Sequence, residues 1–189
     1  MSKNCSPARE RQPPAAPRQT SRNSLLERGA AFDPTGTYRY CLWRCWDAGR
    51  PRVTFIMLNP STADAVRDDP TIRRCMAFVC SWGGGSLEVV NLFAYRAGRP
   101  ALLRAAPDPV GPRNDWYLLR AARRADRLIA AWGNHGALHA RDRAVLHLLA
   151  DQAELFCLGT TRLGQPRHPL YVCAGTVPIV FPRIEPPRN

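Results

Sequence analysis

The sequence predicts an α/β protein: a three-layer sandwich with a central, mainly parallel sheet, preceded by a β-hairpin and a disordered basic N-terminal arm. Three observations carry that expectation. Runs of large and β-branched residues, such as Val53-Thr54-Phe55-Ile56-Met57-Leu58, read as strands buried on both faces. Segments with helical periodicity alternate with these runs, which favours parallel pairing through right-handed crossovers. Polar residues collect directly after successive strands, where open sheets place their ligands.

Taken in order, residues 1–30 are rich in Pro, Arg, Ser, Asn and Gln and form the expected arm. Residues 31–189 are expected as one α/β domain, long enough to bury a substantial core. Tyr38–Trp46 alternates around aromatic and cysteine residues, and Asp47-Ala48-Gly49 is a turn signal. Arg52–Leu58 follows, so these two strands are expected to pair as a hairpin. Asp69-Pro70 starts a helix, with Asp as N-cap and Pro at the first helical position. Ile72, Cys75, Met76 and Val79 keep its periodicity, and Gly83-Gly84-Gly85 ends it. Leu87–Phe93 is the second buried strand, 97–114 a proline-rich loop, and Trp116–Arg124 a helix. Arg127–Trp132, Arg141–Leu149 and Glu154–Leu158 continue as strand, helix and strand, and the chain is then loop-like until Leu170.

In such a sheet the carboxyl ends of parallel strands share one rim. Proline cannot donate to a ladder, so the first parallel strand stops at Asn59-Pro60 and holds Asn59 extended at that rim, with Ser61, Thr62 and Asp64 behind it. Asn91 lies within the second strand, just before Phe93 and Tyr95. Trp132-Gly133-Asn134-His135-Gly136 follows the third, and Thr160-Thr161-Arg162-Leu163-Gly164-Gln165-Pro166-Arg167-His168-Pro169 trails the fourth. Asn91 has two readings, an amide that ties loops together or one that meets a ligand. Asp64 is either a carboxylate for the site or a helix-start cap.

The formal net charge is +12; residues 1–30 carry six basic and two acidic residues, which leaves +8 on the rest. A basic body points to a polyanionic partner, nucleic acid first, although an arginine-rich coding bias gives the same composition. Arg73, Arg74, Arg162 and Arg167 are the candidate phosphate contacts, or else solvated surface arginines. The seven cysteines lack tight metal-ligand spacing, no signal-peptide pattern is read near Met1 and no apolar run is long enough to span a bilayer, so a cytoplasmic setting with reduced thiols is expected. The pattern calls for no metal, no cofactor and no obligatory protein partner.

The order Asn-Pro, asparagine-bearing strand, Trp-Gly and His-Pro resembles the uracil-DNA glycosylase superfamily. That resemblance implies its sandwich fold, with Asn59 orienting the attacking water, Asn91 bonding the base edge and His168 stabilising charge on the departing base. Phe93 and Tyr95 then become candidates for stacking on a flipped base, with Ser61 and Thr62 beside the substrate. Leu58–Asp64, Asp69-Pro70-Thr71, Val90–Phe93, Ala131–Gly136 and Gly164–Tyr171 look more closely like a bacterial family known only as a domain of unknown function. The expected activity is hydrolysis of the N-glycosidic bond of a damaged or modified base in DNA, uracil-like or hypermodified, in repair or phage defence. Catalysis would fall to Asn59, His168 and Asp64. Two alternatives stand beside it: a non-catalytic nucleic-acid-binding domain, and a hydrolase or transferase acting on free nucleotides.

Overall fold

The computed structural model describes residues 27–182. Seven strands are assigned among them: β1 (Glu27–Phe32), β2 (Arg39–Cys45), β3 (Arg52–Met57), β4 (Ser86–Asn91), β5 (Arg127–Ala130), β6 (Leu155–Cys157) and β7 (Ile179–Val180). The helices are α1 (Pro70–Ser81), α2 (Pro100–Ala105), α3 (Asn114–Arg124) and α4 (Arg141–Leu148). All seven strands join one mixed sheet in the order β1-β2-β4-β3-β5-β6-β7. The four strands expected to be parallel are so, as β4-β3-β5-β6, while β1, β2 and β7 add antiparallel edges.

The expected hairpin between β2 and β3 does not form. The Asp47 turn is present, but the amides of Trp46 and Asp47 both donate to the Gly85 carbonyl, docking the end of β2 at the start of β4. Strand β4 is thereby inserted between β2 and β3, pairing antiparallel with one and parallel with the other. The apolar β3 gains the central position, with β4 and β5 covering both its edges. The hairpin that does form joins β1 to β2. Glu27–Ala30 belong to β1, so the domain starts before residue 31; the rest of the expected arm, 1–26, lies outside the described residues.

The helix α1 begins as its sequence dictates. The Asp69 carboxylate accepts from the Ile72 amide at 2.8 Å, and Pro70 sits where no intrahelical N–H is needed. Its buried face, Ile72, Cys75, Phe78 and Val79, packs with Phe55, Met57, Val89 and Ile129. A second cluster joins Leu118, Ala121 and Ala122 of α3 and Val145 of α4 to Ile56, Val90, Leu128 and Ala130. Neighbours such as Phe55 and Ile56, or Val89 and Val90, thus serve opposite clusters, because successive strand side chains point to opposite faces. That is why these strands read as unbroken apolar runs. Further elements were not expected: β1, most of which falls within the expected arm, α2, within the proline-rich segment, a 3-10 stretch over Asn134–Ala140, and the short edge strand β7.

Chain order places the ligand edge. From β3 the chain crosses to β4 on one side, then returns past β3 to β5 on the other. The carboxyl ends of β3 and β5 therefore flank the point where strand order reverses, the place open sheets reserve for binding.

Candidate functional site

A cleft of about 790 Å³ lies at that edge, on the α1 side of the sheet. It brings together Asn59, Asn91, Trp132-Gly133 and His168, the four parts of the rim expected from the strand ends.

Asn59 is half-buried, and its Nδ2 donates to the carbonyls of Pro60 at 3.0 Å and Ala97 at 2.8 Å. Both partners are acceptors, so the side-chain orientation is fixed and Oδ1 remains as the free acceptor. The Ala97 amide returns a bond to the Pro60 carbonyl at 3.1 Å, locking the two loops together.

Asn91 ends β4 at 1% exposure, and neither its Oδ1 nor its Nδ2 has a hydrogen-bond partner. It does not tie loops together. That task falls to Asn114, whose Nδ2 donates to the carbonyls of Asn91 and Leu92. A buried amide left unpaired costs about 1–3 kcal/mol. Asn91 lines the cleft, where an incoming donor and acceptor would satisfy it.

Trp132 belongs to the core: it is buried and packs edge-on against Phe181. Its indole N–H donates to Gln165, which passes a second bond to the buried Asp142 carboxylate. Gly133 takes φ +71°, a left-handed conformation that glycine adopts freely, and its amide donates to Pro166 at 2.9 Å. The segment after β5 is thus fastened to the loop that carries His168.

His168 caps the short helical turn Pro169–Tyr171, its Nδ1 accepting from the Leu170 amide at 3.3 Å. The ring proton therefore belongs on Nε2. Burial lowers the imidazole pKa below its ordinary 6.5, opposed by the nearby Asp69 carboxylate, so the ring is neutral at pH 7.

Of the other expected residues, Ser61, Arg162 and Arg167 line the cleft. Thr62 and Tyr95 lie on a neighbouring depression, where Tyr95 meets Tyr38 edge-on. Phe93 does not line the cleft: it is wholly buried in the α3-side core. Asp64 is not among the cleft-lining residues; its Oδ1 accepts from the Val66 and Arg67 amides, which hold its pKa below the usual carboxylate value. Arg74 is structural, lying over the Phe78 ring and donating to the Val172 carbonyl, and Arg73 bonds the Asp68 carbonyl.

Arg39, Asp69 and Arg99 also line the cleft and were not singled out from the sequence. Asp69 was legible only as a helix cap, and it is both. Arg39 is buried, and desolvation lowers its pKa to about 10 against the pull of Asp69. Among the described residues no helix is long and apolar enough to cross a membrane.

The α/β fold and this asparagine- and histidine-bearing cleft define an α/β domain with a polar cleft where the strand order of its sheet reverses. The chain belongs to DUF1643, a family of proteins of unknown function, whose model matches residues 39–170. No curated protein and no solved structure matches the chain.

Proposed function

We propose that the chain is a DNA glycosylase of uracil-DNA glycosylase-like, three-layer architecture, hydrolysing the N-glycosidic bond of a damaged or modified base. The observation that carries this reading is the unpaired, buried Asn91 amide at the cleft floor. A carboxamide offers one donor and one acceptor side by side, matching the hydrogen-bonding edge of a nucleobase. The cost of leaving it unpaired in the free protein is recovered when a base enters.

The chemistry distributes over the neighbouring groups. A water accepted by Asn59 Oδ1 forms the new bond from its oxygen to C1′ as the C1′–N bond breaks, its electron pair leaving on the base. Neutral His168 donates a hydrogen bond from Nε2 to a base carbonyl and stabilises the anion without giving up its proton. The water's proton passes to solvent, and solvent protonates the released base. Asp69 takes the part expected of Asp64, placing negative charge near the cationic sugar. Arg99, Arg162 and Arg167 on the same cleft, within a chain of net charge +12, suit the phosphates of DNA.

Mass spectrometry of bases released from oligonucleotides carrying uracil, deaminated purines or hypermodified pyrimidines tests this. Release of one base class, lost in Asn91→Ala, is expected. Salt-dependent DNA binding with no abasic product would establish a binding domain instead. Turnover of free nucleosides but not of oligonucleotides would establish the nucleotide hydrolase.

A further inference from the structure

The pairing of β1 with β2 jumps from Ala31↔Cys41 to Phe32↔Arg39, so Tyr40 is an extra residue on β2. A bulge of this kind re-aims the side chain beside it. Tyr40 stacks on Tyr117 of α3, with ring centroids 4.9 Å apart and planes within 2°. Cys41 joins the same α3-side cluster. Two successive residues therefore face α3, and Arg39 is turned to the opposite side, into the cleft. Strict alternation would have placed Arg39 on the Cys41 face.

Arg39 is 3% exposed; its Nη1 donates to the Ala63 carbonyl at 2.7 Å, and its Nε is buried with no partner. Burying a guanidinium with an unused donor is costly unless something completes the site. The other cleft-lining residue with unpaired buried atoms is Asn91. Asp69 balances part of the charge in the free protein, so the positive charge left over suits one negative charge developing on a base oxygen better than the full charge of a phosphate. A group that arrives neutral and leaves as an anion fits this arrangement better.

Resting on the glycosylase reading, we infer that Arg39 is a catalytic cation for the leaving group, donating to a base oxygen while negative charge develops there. Its bond strengthens as the C1′–N pair moves onto the base, which is the differential binding that lowers a barrier. Arg39 transfers no proton.

The test compares single-turnover release of uracil and of 5-fluorouracil, which departs as a more stable anion, by wild type, Arg39→Gln and Arg39→Lys. Arg39→Gln is expected to slow uracil release by about 10²–10³-fold, 5-fluorouracil release by at least tenfold less, and Arg39→Lys to recover part of the loss. Equal slowing on both bases would overturn the inference, because a merely structural arginine does not sense leaving-group stability. Calorimetric binding of free barbiturate, an anion at neutral pH, against neutral uracil separates this claim from the glycosylase reading. Wild type is expected to favour barbiturate whether or not it releases any base, and folded Arg39→Lys or Arg39→Gln to shrink that preference. A wild type without the preference would overturn the inference even if base release were found.

Discussion

The indole N–H of Trp132 donates to the side-chain oxygen of Gln165 at 2.7 Å, joining the segment after β5 to the loop that carries His168. Gln165 also donates to the Asp142 carboxylate at 2.6 Å, and all three side chains are buried. Gly136 leaves the indole its room: a Cβ there would lie 2.0 Å from Trp132 Cδ1. Gln165→Leu strands a buried N–H and removes a donor from a buried carboxylate. A loss of about 2–4 kcal/mol is expected in urea unfolding. Base release should slow as well, because His168 loses the anchor three residues before it.

Asn91 and Asn114 are expected to respond in opposite ways to the same change. Asn91 gives the free fold no side-chain bond, so Asn91→Leu should leave stability unchanged or raise it by about 1–3 kcal/mol while abolishing base recognition. Asn114→Leu removes two donors to the end of β4 and should destabilise by a similar amount. Paired denaturation curves decide this. If Asn91→Leu unfolds as readily as Asn114→Leu, Asn91 is structural.

His168 sets a pH window. Its folded pKa is lowered by burial, so below the ordinary value of 6.5 the unfolded chain takes up protons that the folded chain resists. The contribution to stability is complete above 6.5 and is lost as pH falls through the folded pKa. Titration of the His168 ring by NMR should give a midpoint below 6.5, and His168→Asn, which keeps a neutral N–H, should retain more activity than His168→Ala. A midpoint above 6.5 would rule out the neutral donor.

Arg162 and Arg167 should act on DNA as charge. Replacing both with serine is expected to weaken binding to all sequences alike and lower the slope of log affinity against log salt by about 2. Arg73→Ser and Arg74→Ser, away from the cleft, should leave that slope unchanged; Arg74→Ser should lower stability instead.

The legible parts of the site were those fixed by local chemistry. Asn59 was found because a proline ends its strand, and His168 because glycine and proline mark its loop. Helix α1 announced itself through the Asp69-Pro70 start. What escaped was set by distant pairing. The turn after β2 suggested a hairpin with β3, yet β4 enters between them, and no local signal records that insertion. Arg39 looked like an ordinary strand residue because the bulge at Tyr40 exists only in the register against β1. Asp64 and Asp69 are both short acids in turns, and only the folded loop shows which of them borders the cleft.

The most direct test is single-turnover base release by wild type and Asn59→Ala on the same oligonucleotide, with abasic product quantified by mass spectrometry. Wild type is expected to release a base, and Asn59→Ala to do so about 10²–10⁴-fold more slowly at similar DNA affinity. Equal rates in the two proteins, or DNA binding by wild type without any abasic product, would contradict the account.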